Sequence, residues 1–516
     1  MAIYRSPFPD VEIPARPLAG FILETALARG ARAALIDAVT GRTIAFAELP
    51  RLVDRVAASL SRLGLRKGDV CAIFSPNTLE YPITVLALAR LGVIVTTASP
   101  LCTCDDLRKQ FTDSRPRLLF TSPAVRETAN AIAAAYAFER VFSYAPMEGA
   151  SPFDALLEGD EAPPDVEIAP SDIFALPYSS GTTGLPKGVM LSHGNIVANV
   201  LQVQACGHLI DGQDTLITFL PFFHIYGLCV IMMIGLRYGA TLVVMPRFEL
   251  ETYLDLVERY RGTMLHVVPP IVLALAKSPA VDRRDFSSVR KLFSAAAPLG
   301  GEVTGQCCAR VKVVLQQGYG MTESSPATHV SSEDPAKSKP GSIGVPVPNT
   351  ECRVVDPATG IDVDSGVDGE IWIRGPQVMQ GYLNRPEETR ATVDADGWLH
   401  TGDIGHADAD GDFFIVDRLK ELIKYKGMQI APAELEAVLL SHEAVADAAV
   451  IPRTDEECGE IPHAFVVLKG AATAGEIMAF VASRVAPYKK IRRIDFIDAI
   501  PKSPSGKILR RVLRER

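Results

Sequence analysis

The chain has 516 residues, well beyond the roughly 100–200 of a typical domain, so its length predicts about three compact units or one large domain with a smaller one. Hydrophobic residues make up 48% of the chain and charged residues 22%, a balance that excludes extensive disorder. Lys and Arg number 52 against 61 Asp and Glu, giving a net charge of −9 without a basic stripe. Nucleic acid is therefore not expected as a partner.

The features that bear on location favour the cytoplasm. No charged N-terminal segment leads into an apolar run with a cleavage site, so a secretory signal is not expected. The longest apolar stretch, residues 227–236, is about half the roughly 20 residues that cross a bilayer, and it predicts a buried helix rather than a membrane span. The nine cysteines lack paired spacing and adjacent His, which favours reduced core thiols over zinc ligands or disulfides.

The first predicted elements form a βαβ unit. A strand at 70–74 is followed by a helix that Asn77 caps and that extends to Leu91, and then by a strand at 93–97. The same alternation returns later in apolar runs of strand length at 215–220, 241–245, 263–268, 289–294 and 311–316. Parallel sheets with helices on both faces are therefore expected.

The last third of the chain has a different texture. After about residue 340, turns rich in Gly, Pro and Asp separate short runs such as 370–374 and 413–416, which is typical of antiparallel strands. From Pro432 the apolar residues follow helical spacing. Strands at 445–451 and 464–468 and a helix at 475–485 are expected to follow.

These patterns predict an α/β protein of two domains. The N-terminal domain, residues 1–418, would contain parallel βαβ sheets and a small antiparallel barrel-like part. The C-terminal domain, residues 419–516, would be a small α+β unit, separated from the first by the charged stretch at 417–421.

The strongest chemical signal is the loop YSSGTTGLPKG at 178–188. Its glycines allow backbone N–H groups to face an anion, and its hydroxyls and Lys187 add donors and charge, as a polyphosphate site requires. It does not match the Walker A pattern, because Lys187 lies between Pro186 and Gly188 and a strand-like run follows. A P-loop NTPase is therefore disfavoured.

This loop and five further motifs resemble those of the adenylate-forming superfamily of acyl- and aryl-CoA synthetases, luciferases and peptide-synthetase adenylation domains. The further motifs are QGYGMTE at 317–323, YLNRP at 382–386, GWLHTGD at 397–403, DRLK at 417–420 and PKSPSGK at 501–507. They follow the family's order over nearly the whole chain. The resemblance implies a ligase that uses ATP, Mg²⁺ and coenzyme A.

The chemistry that such motifs serve is activation of a carboxylate. Attack on the α-phosphate of ATP converts this poor electrophile into an acyl-adenylate and releases pyrophosphate, after which the CoA thiol displaces AMP. No enzyme nucleophile is needed. The protein aligns the reacting groups and offsets the charge that gathers on the phosphate.

The resemblance assigns residues of these motifs to ATP and its metal ion. The nucleotide-binding set is Ser179, Ser180, Gly181, Thr182, Thr183, Lys187, Gln317, Gly318, Tyr319, Thr322, Asp403, Arg418 and Lys507. In the family the loop holds the β- and γ-phosphates, the Gly-Tyr pair flanks adenine, and Asp403, supported by Arg418, accepts the ribose hydroxyls. Thr322 would contact the α-phosphate, and Glu323 would orient Mg²⁺, which prefers oxygen ligands.

The two half-reactions are assigned to different parts of the small domain. Lys507 would bridge the carboxylate and the α-phosphate during adenylation, and Lys420 would be the hinge around which the domain swings. A Lys at the hinge is typical of 4-coumarate–CoA ligases. The full catalytic set is Lys507, Lys424, Gln429, His224, Thr322 and Glu323, and the CoA-binding set is Arg247, Lys426 and Gly427.

The acyl pocket is predicted around PFFHIYG at 221–227. In the family His224 gates the carboxylate. No Asp stands near it to pair with a substrate ammonium, so amino acids are disfavoured. The expected lining residues are His224, Ile225, Tyr226, Cys229, Phe293, Ala295, Ala296, Ala297, Gly318, Gly320, Pro326 and Ala327.

One departure from the family leaves the substrate open. Plant 4-coumarate ligases usually carry KSGAAP where this chain has FSAAAP at 293–298, and bacterial cinnamate/coumarate ligases are more similar. We expect a 4-coumarate/cinnamate–CoA ligase, acting as a monomer or homodimer. A medium- or long-chain fatty acyl-CoA synthetase is the alternative, and a non-catalytic nucleotide-binding regulator is a distant one.

Overall fold

The computed structural model describes residues 3–179, 186–334, 336–426, 428–455, 457–503 and 506–516. These residues form four sheets, three before residue 419 and one after it. The strand Phe413–Arg418 ends the third sheet and Ile423–Tyr425 begins the fourth. The predicted boundary after residue 418 therefore falls in the short segment between the two sheets.

The first sheet contains the predicted βαβ unit. Its strands, in spatial order, are Gly381–Tyr382, Lys187–Ser192, Ile173–Ser179, Ile94–Ala98, Val70–Phe74, Leu118–Thr121, Arg140–Ser143 and Ser151–Pro152. The five strands from Ile94–Ala98 to Ser151–Pro152 run parallel, as do Ile94–Ala98 and Ile173–Ser179. The strand Lys187–Ser192 joins antiparallel, so the phosphate-loop motif connects two neighbouring strands.

The predicted cap of the helix in this unit is wrong. The helix begins at Glu80, and Asn77 instead accepts the Phe222 N–H at 2.8 Å and donates to the Leu220 carbonyl at 3.0 Å. Its amide satisfies backbone groups of a loop from the second sheet, which are buried and need partners. Asn77 therefore ties the two large sheets together.

The second sheet confirms the predicted runs between residues 215 and 316. Its strands, in spatial order, are Val345–Pro346, Ala327–Val330, Val314–Gly320, Lys291–Ser294, Met264–Val267, Thr215–Thr218, Thr241–Val244, Ala33–Asp37 and Thr43–Ala45. The six strands from Val314–Gly320 to Ala33–Asp37 run parallel. The strand ends differ from the predicted runs by up to four residues, because pairing ends where a chain leaves its neighbour.

The third and fourth sheets confirm the predicted change to antiparallel pairing. The third, the barrel-like part, orders Tyr4–Arg5, Glu351–Val355, Gly369–Arg374, Leu399–Ala407 and Phe413–Arg418. The fourth contains Met428–Ile430, Ile423–Tyr425, Gly459–Leu468 and Val445–Asp455, with Arg493–Phe496 parallel to Gly459–Leu468. Its hydrophobic core is separate from that of the large sheets. The C-terminal part is therefore a small α+β unit.

Helices cover the sheets. The α-helices are Leu18–Leu23, Leu49–Arg62, Glu80–Arg90, Cys104–Ser114, Arg126–Ala135, His193–Ala205, Ile234–Arg237, Leu250–Arg259, Pro269–Lys277, Gly301–Val311, Pro386–Thr392, Pro432–Leu440, Ala474–Ala482 and Arg510–Arg514. The predicted buried helix at 227–236 is a π-helix, Tyr226–Met233, that continues into Ile234–Arg237. Among the described residues, no helix is long and apolar enough to cross a membrane. All nine cysteines are described and are free thiols.

Candidate active site

A cavity of about 420 Å³ lies where the two large sheets, the barrel-like sheet and the C-terminal loop meet. It brings together residues from every described motif of the sequence. The predicted residues that line it are Ser179, Lys187, His224, Ile225, Tyr226, Phe293, Ala295, Ala296, Gly318, Tyr319, Gly320, Thr322, Glu323, Pro326, Ala327, Arg418, Lys420 and Lys507. Ser180, Gly181, Thr182, Thr183 and Gly427 lie outside the described residues.

Glu323 is fixed by two hydroxyl groups. It lies in a short turn after the strand Val314–Gly320, and only 4% of it is exposed. Ser179 and Tyr382 both donate to Oε1, at 3.0 and 2.9 Å. Among the described residues, no hydrogen bond to Oε2 is seen, and Glu323 lines the cavity. A carboxylate at this position fits the predicted Mg²⁺, which takes few protein ligands besides substrate phosphates.

Lys187 is buried at the first residue of the strand Lys187–Ser192. Its Nζ lies 2.5 Å from Glu388 Oε2 and 4.7 Å from the centre of the Tyr382 ring. Only 7% of Lys187 is exposed, so its charge needs these neighbours. Tyr382 therefore contacts Lys187 with its ring and Glu323 with its hydroxyl.

Asp403 is held between two neighbours in the barrel-like sheet. The pairing of its last two strands places Asp403 opposite Arg418, whose Nε donates to Oδ1 at 3.1 Å. The Tyr319 hydroxyl donates to Oδ2 at 2.6 Å. The Asp403 charge raises the pKa of Arg418, whereas burial and then Asp403 raise that of Tyr319. Asp403 is thus an oriented carboxylate beside the cavity, and each of its oxygens retains acceptor capacity.

Lys507 extends into the cavity from a turn of the C-terminal unit. Gly506 has φ +81°, a conformation that favours glycine, and Ser503 donates its N–H to the Lys507 carbonyl at 2.8 Å. The Lys507 side chain remains accessible from the cavity, yet the surrounding protein lowers its pKa to about 8, and the Arg418 charge acts in the same direction. The ammonium is still mostly protonated at pH 7.

His224 is neutral at pH 7. Burial, and secondarily the Lys507 charge, lower its pKa to about 4. Its Nδ1 accepts the Tyr226 N–H at 3.3 Å, which assigns the ring proton to Nε2. His224 therefore offers a neutral N–H donor to the cavity that it lines.

Glycine and aromatic residues shape the apolar end of the cavity. The Tyr226 hydroxyl donates to the Phe293 carbonyl at 3.0 Å. A Cβ added to Gly318 would lie 2.5 Å from Phe293 Cζ, and one added to Gly320 would lie 1.9 Å from the Pro326 carbonyl oxygen. A side chain at position 320 would clash with the backbone, and one at position 318 would require the Phe293 ring to move.

The prediction that Cys229 lines the pocket is wrong. Cys229 is fully buried, and its Sγ lies 4.0 Å from Asn199 Oδ1. Val230 lines the cavity instead, because it lies four residues after Tyr226 and shares its helix face. This spacing is the sequence signal that could have identified Val230. Among the residues predicted for the nucleotide and the acyl chain, Ala297, Gln317 and Asp403 are also absent from the described lining.

Several lining residues were missed by the sequence analysis, although some stand within its motifs. His400 stacks on Trp372 with ring centres 3.8 Å apart, and these two residues are opposite each other in the barrel-like sheet. Glu370 accepts the Gly402 N–H at 2.9 Å and the Trp372 indole N–H at 2.9 Å. Nothing in the local sequence around Glu370 signals this contact, which depends on strand register.

The residues assigned to the second half-reaction lie away from the cavity lining. Lys424 and Gln429 are opposite each other in the hairpin formed by Ile423–Tyr425 and Met428–Ile430, and both are exposed. Lys426 and Arg247 are exposed as well. In this arrangement the C-terminal unit presents Lys507 to the cavity and the hairpin to solvent.

A buried histidine pair lies behind the apolar wall. His208 and His266 approach with their Nε2 atoms 2.9 Å apart, and His208 packs edge-on against Phe293 with ring centres 4.8 Å apart. Burial lowers the pKa of His208 well below its usual value and that of His266 to about 3. One ring donates and the other accepts, and burial disfavours a charge on either ring.

We expect the protein to lose stability in weak acid. Burial lowers the pKa of six histidines in the folded state: His193, His208, His224, His266, His329 and His463. These histidines bind protons in the unfolded chain below about pH 6.5 but not in the folded protein. The free energy of unfolding therefore decreases by up to about 1.4 kcal/mol per pH unit for each histidine as the pH drops toward 4.

Thermal unfolding at pH 7.5 and pH 5 measures this effect, with a lower Tm expected at pH 5. The variant His266→Gln keeps a hydrogen-bonding side chain beside His208 but removes one titration. It should show a smaller difference in Tm between the two pH values. Equal wild-type Tm at both would contradict the expectation.

Comparisons with known proteins agree with this geometry. Residues 23–383 match the family described as AMP-binding enzyme, and residues 434–507 match its C-terminal domain. A 4-coumarate–CoA ligase 5 of Oryza sativa subsp. japonica is 46% identical over 530 residues, covering 99% of this chain and 97% of that relative.

Solved structures share the same fold. ATP-bound MatB from Rhodopseudomonas palustris gives a TM-score of 0.88 at 29% identity, covering 97% of this chain and 99% of the other. The o-succinylbenzoate CoA synthetase MenE from Bacillus subtilis, in complex with the acyl-adenylate intermediate OSB-AMP, gives a TM-score of 0.84 at 30% identity, covering 98% and 99%. The predicted α/β fold and the predicted family are confirmed. The chain belongs to the AMP-binding enzyme family.

Proposed function

We propose that the protein is an AMP-forming acid–CoA ligase that acts on 4-coumarate or cinnamate. The observation that carries the proposal is one cavity that is lined by the Glu323 carboxylate, by Lys507 and by an apolar group that includes Tyr226 and Phe293. A relative 46% identical over the whole chain is named as a 4-coumarate–CoA ligase. A regulator without turnover would not need this complete set of side chains.

In the first half-reaction a substrate carboxylate oxygen attacks the α-phosphorus of ATP and pyrophosphate leaves. Lys507 contributes a positive charge between the two reacting groups, and Thr322 donates to the α-phosphate. The neutral His224 Nε2–H hydrogen-bonds the carboxylate without protonating it, because its pKa of about 4 keeps it uncharged. These fixed groups stabilise the charge that develops in the transition state.

The nucleotide is held at both ends. Asp403, oriented by Tyr319 and Arg418, accepts the ribose hydroxyls. Lys187 pairs with the terminal phosphates, and Glu323 would hold Mg²⁺, which neutralises phosphate charge when bound. These contacts hold ATP in a fixed position, so that the bound carboxylate reacts with an α-phosphate that is already aligned.

The second half-reaction requires a different arrangement of the small domain. Lys424, Gln429, Lys426 and Arg247 lie outside the cavity lining in the arrangement described above. We place the pivot at Lys420, in the turn between the third and fourth sheets. A swing there would withdraw Lys507 and bring the hairpin to the acyl-adenylate, so that the CoA thiol attacks the acyl carbon and AMP leaves. The first half-reaction uses ATP and the second uses CoA, and we place the enzyme in the cytoplasm.

The test is pyrophosphate release across aromatic and aliphatic acids, with and without CoA, coupled to mass-spectrometric identification of the acyl-CoA product. Turnover with 4-coumarate or cinnamate above that with octanoate and longer acids supports the proposal. Turnover with fatty acids alone would instead indicate a fatty acyl-CoA synthetase. The apolar residues Ile225 and Val230, which line the cavity, are compatible with that substrate as well.

The size of the pocket can be tested at Ala295. Its methyl group lies at the cavity where plant relatives carry Gly, and crowding of this kind costs about 1–3 kcal/mol. Ala295→Gly should raise kcat/KM for 4-coumarate by roughly 5- to 100-fold, with a smaller gain for cinnamate. Steady-state kinetics on both acids and on octanoate measure the change. A gain for octanoate alone would argue for the fatty acid.

A further inference from the structure

The ion pair between Lys187 and Glu388 lies where the proposed function needs an anion of the substrate. Glu388 Oε2 is 2.5 Å from Lys187 Nζ, and both residues line the cavity. Lys187 is 93% buried by its neighbours, so Glu388 supplies a negative charge that it cannot obtain from solvent. The carboxylate belongs to the helix Pro386–Thr392, and Lys187 belongs to the motif at 178–188 that resembles a polyphosphate site.

We propose that Glu388 is a placeholder for phosphate. In the free enzyme its carboxylate occupies the side of Lys187 that a terminal phosphate of ATP takes, so ATP must displace Glu388 in order to bind. The inference rests on the proposed function, which assigns Lys187 to the phosphates. Glu388 is in this sense a positioning residue that acts through Lys187.

The surroundings allow Glu388 to leave. Its side chain is 39% exposed, and Arg385 Nε lies 3.7 Å from its other oxygen, Oε1. The exposed Arg385 guanidinium can therefore pair with the Glu388 carboxylate when phosphate displaces it from Lys187. The Tyr382 ring faces Lys187, and the Tyr382 hydroxyl donates to Glu323. Tyr382 therefore contacts both Lys187 and the predicted metal ligand.

The placeholder has a measurable cost for affinity. If Glu388 holds Lys187 in about 70–90% of free molecules, the apparent Kd for ATP is about 3- to 10-fold above the intrinsic value. The same competition weakens the binding of pyrophosphate, the first product. Glu388 therefore keeps Lys187 ordered between turnovers and favours departure of pyrophosphate.

Glu388→Gln tests the proposal, because glutamine has nearly the same shape but no charge. The control is Glu387→Gln, which removes the same charge from the adjacent exposed residue of the same helix. Among the described residues, Glu387 forms no ion pair. Calorimetric Kd for α,β-methylene-ATP, KM for ATP and the inhibition constant of pyrophosphate are measured for both variants and the wild type.

We expect all three constants to fall by about 3- to 10-fold in Glu388→Gln and to change less than 2-fold in Glu387→Gln. KM for the carboxylic acid should stay within 2-fold, which a general loosening of the site would not produce. Unchanged constants in Glu388→Gln overturn the proposal, and so does a rise, which would mean that Glu388 binds the nucleotide through a metal ion. Failure of the wild type and both variants to bind the ATP analogue would instead refute the proposed function.

A second variant guards against misfolding. Glu388→Asp keeps the charge on a side chain one methylene shorter, which weakens the contact with Lys187 without removing it. Its constants should fall between those of the wild type and Glu388→Gln. Constants above those of the wild type in a variant with wild-type Tm would overturn the placeholder role, because a weaker contact with Lys187 should make displacement by phosphate easier.

Discussion

Lys507→Ala is expected to reduce formation of the acyl-adenylate by about 10²- to 10³-fold, the range found when a group that stabilises transition-state charge is removed. Lys507 brings its ammonium into the cavity that Glu323 and Arg418 also line. Without it, the negative charge on the reacting phosphate loses a fixed partner. Conversion of a supplied acyl-adenylate and CoA should remain close to the wild-type rate, because that step uses another face of the small domain.

Single-turnover assays of each half-reaction measure both effects. The matched control is Lys502→Ala, which removes an ammonium from the same loop, where Lys502 pairs with Asp447 at 2.6 Å outside the cavity. It should leave adenylation within about 2-fold, since Lys502 does not line the cavity. Equal losses in both half-reactions of Lys507→Ala would refute the role that we propose for this residue.

Lys420→Pro is expected to separate the two half-reactions in the opposite sense. Proline fixes φ near −65° and removes a backbone donor, so a pivot at this residue would be locked. The described arrangement already presents Lys507 to the cavity, and pyrophosphate release should therefore persist. Formation of the CoA ester should fall by about 10²-fold or more, because the Lys424–Gln429 hairpin cannot reach the acyl-adenylate.

The control for this variant is Lys420→Ala, which removes the same side chain but leaves φ free. It should retain most of the ester formation. Burst measurements of pyrophosphate and steady-state measurements of acyl-CoA distinguish the two steps. Unchanged ligase turnover in Lys420→Pro would place the pivot elsewhere, whereas loss of ester in both variants would point to the ammonium rather than to the backbone.

The strands of this protein were predictable because a strand that is buried on both faces has an almost continuously apolar sequence. Runs such as 70–74 and 241–245 are apolar at nearly every position, which is typical of strands covered by helices. The change to turn-rich sequence after residue 340 likewise predicted the antiparallel barrel-like sheet. Asn77 was misassigned, since its partners Leu220 and Phe222 are more than 140 residues away.

The candidate site residues could be proposed from the sequence for a similar reason. Lys507, Asp403 and Glu323 belong to short sequence motifs. Such motifs can be identified from the residue types and their spacing alone, without knowing how the chain packs. Their roles in the two half-reactions remain proposals. Cys229 could not be placed correctly from the sequence, because the sequence did not show which face of its helix lines the cavity.

The sequence alone determined the chemical class of this protein: its motifs specify a nucleotide site, an activated carboxylate and a two-domain ligase. Only the tertiary structure decided how those groups are held. Glu323 depends on Ser179, 144 residues away, and on Tyr382, 59 residues away, and Lys187 depends on Glu388 across two separate motifs. Hydrogen bonds and ion pairs act over a few ångströms in space, so they follow the register of sheets and the meeting of loops rather than the order of residues along the chain.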